Sequence, residues 1–336
     1  VISQIEPSVC MLIMWNLVSV LSGVPQGSLL RPFLFLVYDA DLPSHIHFSD
    51  IHSYADDTQI IHCFQSSNLP QAEAELNSDI KSICVYSDRH KLPINSSKCS
   101  LLLFCSDNRR EFIKSAFNVK VGLDNLNFSQ SSKLLGVTFD EKLKFTDHVK
   151  TILMKCYLRL RALYANRYVL NFKMRKKLCE SLIISVFNYC DILFYPCLDT
   201  VTKNRLQIMQ NNCVRFIFNL RKFDHISGFY TPLNSSLNWM KLPKLVLFHY
   251  LVFIHKIITT SRPSYLRDKL IFRRDFHTLN VRHTHLITIP HHSSSLFQRG
   301  FTYNAATLYN SVDFFYKNLS FNCFKHYVKR LLLSSS

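Results

Sequence analysis

Two adjacent carboxylates, Asp56 and Asp57, stand in the run Ser53-Tyr54-Ala55-Asp56-Asp57-Thr58-Gln59-Ile60-Ile61, between residues that favour extended backbone. Aspartate tolerates turn geometry, whereas Tyr, Thr and Ile prefer the pleated surface of a strand. The pattern therefore predicts a β-hairpin with the acids at its tip. Such a tip offers hard oxygen donors to a divalent cation. Mg2+ is commonly held by one or two carboxylates together with substrate phosphates, so the pair supplies half of a phosphoryl-transfer site. Taken alone, an Asp-Asp turn is more often a solvated bend.

Upstream lies Ser22-Gly23-Val24-Pro25-Gln26-Gly27-Ser28, followed by a mostly apolar run to Tyr38. Gly23 and Gly27 let backbone approach a ligand closely, Pro25 stiffens the loop, and Gln26 offers both a donor and an acceptor. The loop is expected to open a helix over residues 28–38, which Asp41-Leu42-Pro43 stops. A Gly-Val-Pro-Gln-Gly segment followed by Tyr-Ala-Asp-Asp resembles motifs B and C of the reverse transcriptase palm, particularly in non-LTR retrotransposons of the jockey and LINE kind.

That resemblance implies roles for individual residues. Asp56 and Asp57 would be catalytic ligands of a two-metal Mg2+ site, and Gly23, Pro25, Gln26 and Gly27 would lie beneath the incoming deoxynucleoside triphosphate and the templating base. The segment Leu92-Pro93-Ile94-Asn95-Ser96-Ser97-Lys98 matches motif D, whose lysine, here Lys98, protonates the leaving pyrophosphate; Cys99 replaces the usual Thr. Lys133 to Asp140 is expected as a strand with an embedded Gly marking a bulge or a close backbone approach. It resembles motif E, the hairpin against which the primer strand rests, with Leu135 and Gly136 as the primer grip. Arg31 departs from the pattern, because relatives usually have Gly before the Pro at this point.

The charge is uneven along the chain. Residues 1–150 hold 13 Lys and Arg against 16 Asp and Glu, and residues 151–336 hold 27 against 7, within a net charge of +17. Clustered cations suit a polyanion. Apolar stripes at helical spacing (Ile152, Leu153, Cys156, Leu160, Leu163; then Leu206, Met209, Cys213, Phe216, Ile217, Leu220) predict helices, with a third between them from Met174 to Cys190. Leu76, Ile80, Ile83 and Cys84 recur at helical spacing, with Glu73, Glu75, Asp79 and Lys81 between them, and predict a helix that covers one sheet face. Further helices are expected to about Ile258 and over Phe301–Leu308 and Phe321–Leu332.

The 11 cysteines are scattered without a Cys-x-x-Cys, which reads as reduced, mostly buried thiols rather than a zinc site or disulfide framework. The histidines around His277, His283, His285, His291 and His292 read as a polar loop region. The apolar run from Val9 to Leu21 is short for a bilayer span, which takes about 20 residues, and no basic n-region precedes it. An intracellular protein of the nucleus or cytoplasm, neither secreted nor membrane-spanning, is expected.

These readings combine into an α+β architecture: a partial polymerase palm over residues 1–150, a basic helical thumb over 151–235 and a helical C-terminal region over 236–336. The resemblance also implies a further metal-binding Asp upstream of Gly23, where this chain offers only Glu6. An N-terminally truncated reverse transcriptase, inactive by itself, is therefore expected, whose parent extends a DNA primer on an RNA template. Two other readings stay open. One is a non-catalytic protein that binds RNA or an RNA–DNA hybrid; the other is a nuclease, although the Gly-Val-Pro-Gln-Gly loop has no role there.

Overall fold

Pro32 can stand in the first turn of a helix because its missing N–H would have no partner there, and α1 (Arg31–Tyr38) begins at that point. The computed structural model describes residues 29–226, 237–275, 284–292 and 294–334. The chain divides into two compact units, Val1–Leu135 and Gly136–Ser336.

In the first unit α1 is followed by a short 3-10 turn, Leu42–His45, and by strands β1 (Asp50–Tyr54) and β2 (Asp57–Ile61). Then come α2 (Leu69–His90), α3 (Asp107–Ala116), β3 (Val119–Val121), β4 (Asp124–Leu126) and β5 (Ser131–Leu134). Strands β1 and β2 pair antiparallel, as do β3 and β4. Leu69, Ala72, Leu76 and Ile80 fall on one face of α2 at helical spacing and pack with Leu103, Ile113, Phe117 and Val119. Lys91, in left-handed backbone, ends the helix.

Asp79 of α2 is a buried acid, 1% exposed. One carboxylate oxygen accepts from the amide of His47 at 3.0 Å and the other from Phe48 at 3.2 Å. The apolar stripe of α2 thus includes one acid, which satisfies the amides of the chain entering β1.

The second unit opens with β6 (Val137–Asp140). The run from Lys133 to Asp140, expected as a strand with an embedded Gly and, from its resemblance to motif E, as a hairpin, is β5 and β6 with a turn between them, where Leu135 and Gly136 have φ of 44° and 88°. A Cβ on Gly136 would lie 3.3 Å from Cε1 of Tyr189. Replacing Gly136 by alanine is expected to destabilise the protein by about 1–2 kcal/mol, from left-handed strain alone. An unchanged thermal midpoint would contradict this geometry.

The helices of this unit are α4 (Thr146–Ala165), α5 (Phe172–Cys179), α6 (Ser185–Asn188), α7 (Asp191–Phe194) and α8 (Thr200–Phe218). They continue with α9 (Leu242–Thr260), α10 (Ser264–Arg267), α11 (Ser295–Arg299), α12 (Phe301–Asn310), α13 (Phe314–Lys317) and α14 (Phe321–Ser334). A π turn, Glu180–Ile184, joins α5 to α6 without a break. Glu180 there accepts from the indole N–H of Trp239 at 2.8 Å. The helices expected from the three apolar stripes are all present. Together with the small antiparallel β elements they agree with the α+β class.

One core gathers the stripes of α4, the α5–α6 helix and α8. Cys156, Cys179 and Cys213, one from each, are fully buried there and act as small apolar residues. The expectation of mostly buried thiols holds for these three, whereas Cys63 and Cys323 are exposed. A second core packs α9 against α12 and α14, with Ala305 and Ala306 letting α12 approach closely. Among the described residues α9 is the one helix long and apolar enough to cross a membrane. Its Val246, Leu251, Ile254 and Ile257 are buried in this core.

Two buried histidines make the second unit sensitive to acid. His255 donates from Nε2 to the Leu319 carbonyl, accepts at Nδ1 from the Tyr309 hydroxyl, both at 3.0 Å, and stacks on Phe324. His148 accepts at Nδ1 from the Thr138 amide at 3.2 Å. Burial holds both imidazoles below their usual pKa, and Lys155 adds to the effect at His148. The unfolded chain therefore binds these protons more readily. Stability is full above the unfolded-state value of about 6.5 and declines as the pH falls below it. The urea midpoint, followed by Trp239 fluorescence, is expected to drop between about pH 7 and 5. A flat midpoint across that range would exclude the linkage.

Candidate nucleotidyl-transfer site

The hairpin at Asp56 and Asp57 is as tight as the residue pattern suggested. Tyr54 pairs with Asp57, so Ala55 and Asp56 alone form the turn, with Ala55 at φ 53°. Alternation along the strands separates two faces. Ile60 and Thr58, opposite Ile51 and Ser53, share one face, and Ile60 packs against the α2 core. Asp57 belongs to the other face, with Tyr54, His52 and Gln59.

Both carboxylates are exposed, and no hydrogen bond or ion pair with a described residue engages either one. Adjacent oxygen donors left open on a rigid hairpin fit a hard divalent cation such as Mg2+. Among the described residues no group of three or more His, Cys, Asp or Glu side chains is arranged to hold a metal. Any such ion would take its remaining ligands from phosphates and water, as Mg2+ commonly does.

Lys98 ends a 3-10 turn, Ser96–Lys98, capped by the Asn95 side chain, which accepts from the Ser97 amide at 3.1 Å and the Ser97 hydroxyl at 2.6 Å. Ser96 donates to Asp124 at 2.6 Å, so the loop is held on both sides. The lysine is exposed, and no hydrogen bond or ion pair joins it to Asp56 or Asp57. Leu135 and Gly136 occupy the turn after β5. Gly23, Pro25, Gln26 and Gly27 lie outside the described residues, as do His277 and His283.

Sequence reasoning missed what supports the hairpin. Asp79 holds the chain just before β1, and a second lock holds α1: Tyr86 donates to Asp41 at 2.6 Å, while Tyr38 donates to the His90 carbonyl at 2.7 Å. Burial and then the Asp41 hydrogen bond raise the pKa of Tyr86, and the same bond lowers that of Asp41. The Tyr86 ring also stacks on His90. The signal for the first support was an acid inside an apolar stripe; nothing in the residue pattern marked the second.

The cations of the second unit divide into two groups. Arg159 donates to the Leu182 carbonyl at 2.6 Å, and Arg175 donates to the carbonyls of Leu170 and Arg167, so these two tie elements together. Lys155, Arg161, Lys173 and Lys177 are exposed on α4 and α5 and engaged by no described residue. They can meet phosphates without first breaking a protein contact.

No protein-family model matches the chain, and no solved structure matches it significantly. Curated relatives do. The chain is 29% identical over 210 residues to the Drosophila melanogaster protein named Probable RNA-directed DNA polymerase from transposon BS, covering 58% of this chain and 22% of the relative. It is 30% identical over 138 residues to the RNA-directed DNA polymerase from mobile element jockey of the same species, covering 39% and 14%. It is also 30% identical over 212 residues to Probable RNA-directed DNA polymerase from transposon X-element, covering 59% and 22%. The chain thus spans about a fifth or less of the length of these relatives. Across roughly 40–60% of its length, the chain is a homologue of the RNA-directed DNA polymerases of jockey-like non-LTR elements.

Proposed function

We propose that this chain is part of an RNA-directed DNA polymerase that extends a DNA primer on an RNA template, and that it contributes one side of the nucleotidyl-transfer site and the helical surface that grips the duplex. The observation that carries the reading is the pair of open carboxylates at the hairpin tip, Asp56 in the two-residue turn and Asp57 at the start of β2. When bound, Mg2+ would polarise the reacting phosphate and favour attack by the primer hydroxyl. The protein's part is to hold the two carboxylates rigid and solvent-facing, with the hairpin seated on α2 through Ile60 and its entry fixed by Asp79.

In this reading residues 1–150 are the palm, residues 151–235 are the thumb, and residues 236–336 are a helical C-terminal region. Gly23, Pro25, Gln26 and Gly27 shape the nucleotide pocket, Lys98 protonates the departing pyrophosphate, and Leu135 and Gly136 rest against the primer. The polymerase reading requires a further carboxylate on the far side of the metals; without one the hairpin pair does not catalyse transfer, while the cations of α4 and α5 still bind nucleic acid.

A salt titration tests that binding. Four open cations predict that affinity for an RNA–DNA hybrid falls with salt at a log–log slope of about −3 to −4. A flat response would remove the duplex-gripping role. The alternative, a non-catalytic hybrid-binding protein, predicts the same slope but no dependence of primer extension on Asp56 in the full-length polymerase.

A further inference from the structure

We infer that a cavity between α8 and the start of α9 binds a nucleotide unit, a phosphate with an aromatic base, at a site separate from the carboxylate hairpin. The cavity is about 360 Å3, within the size range of small-molecule sites. Its lining includes Asn211 and Arg215 of α8, then Phe223, His225 and Ile226, then Lys241 just before α9.

Three features point to this ligand. The first is the Arg215 guanidinium. Its Nε is buried without a hydrogen-bond partner, and its Nη1 makes only a long contact, 3.4 Å, to Asn212. A buried donor left unsatisfied costs about 1–3 kcal/mol, and the planar fork of Arg matches a phosphate in a bidentate manner. The second is the charge. Arg215 and Lys241 face one acid, Asp224, whose carboxylate is already used by the Arg221 amide at 2.7 Å. An anion is therefore preferred.

The third is Phe223, which is 86% exposed at the edge of the cavity. Lys222 approaches the ring at 5.5 Å from its centroid, as it would a ring whose electron-rich face is open. An exposed aromatic beside cations is a platform on which a base can stack. The floor is rigid: Gln207 accepts from the Leu242 amide at 2.9 Å and donates to Gln210 and Asn211, and Gln210 in turn donates to the Met240 carbonyl. A preformed floor spares the ligand the cost of ordering it.

This inference does not rest on the polymerase reading, since it uses neither the Asp pair nor the cations of α4 and α5. A free nucleotide and a residue within a single strand share the chemistry. The test is fluorescence anisotropy of the full chain with a labelled oligothymidylate, competed by thymidine 5′-monophosphate, together with photo-cross-linking of a 5-iodouracil-substituted strand and mapping of the cross-linked peptide. Phe223→Ala, at an exposed position, is expected to weaken binding about tenfold. Lys241→Gln is expected to weaken it and reduce the salt slope by about 0.7. The cross-link is expected on the peptide containing Phe223. Full competition by the monophosphate would identify a free-nucleotide site, and competition only by oligonucleotide would identify a strand-binding one. Unchanged affinity in both variants, with cross-links mapping elsewhere, would overturn the inference. In that event hybrid binding through α4 and α5 would still stand or fall by its own salt dependence.

Discussion

Alanine at Asp56 in a complete polymerase bearing this hairpin is expected to lower primer extension by about a thousandfold or more, with no matching loss of fold. Metal ions stabilise several kcal/mol of charge in a phosphoryl-transfer transition state, and a lost carboxylate ligand removes that contribution from the reaction alone. Asp56 is exposed and engaged by no described residue, so its removal breaks no internal contact. Asp57→Ala is expected to be as severe, because Asp57 lies on the open face of the hairpin, away from Ile60 and the α2 core. Primer extension on an RNA template, measured beside a thermal melt, checks both. Full activity in either variant would sink the proposed metal role.

Asp79→Ala is the second large effect, and here stability and activity should fall together. The substitution leaves the amides of His47 and Phe48 without their acceptors, both in a region where Asp79 itself is 1% exposed. His47 and Phe48 are themselves exposed, so water can replace the acceptor in part, and a loss of about 1–2 kcal/mol is expected for the first unit. Asp79→Asn keeps one acceptor oxygen and should lose less. Amide hydrogen exchange separates this account from a general loss of stability. Protection at His47 and Phe48 should fall more than protection in the middle of α2. Equal protection at all these positions would show that the carboxylate does not hold the entry to the hairpin.

The two predictions mark where residue patterns informed the structure and where they did not. The hairpin could be read because turn-tolerant acids sit between strand-favouring residues, a purely local preference. The helices of the second unit could be read because Ile152, Cys156, Leu160 and Leu163 repeat at the period of a helix. The burial of Asp79 was not legible in this way, because periodicity cannot see that two amides distant in sequence need an acceptor. The turn at Leu135 and Gly136 was legible only through the resemblance to a hairpin motif, because a Gly inside a strand-like run fits a bulge as well as a reversal, and the φ values distinguish them. The lock between Tyr86 and Asp41 depends on contacts 45 residues apart, beyond any local pattern.

The widened turn at Glu180–Ile184 affects how this chain can be compared with others. Cys179, Ile183 and Phe187 are all buried although they are spaced by four, a spacing that drifts around a regular α-helix but stays on one side when a turn takes up an extra residue. An alignment that assumes uniform α spacing through it will fall one position out of step beyond Glu180, pairing core residues with surface ones as far as the end of α6.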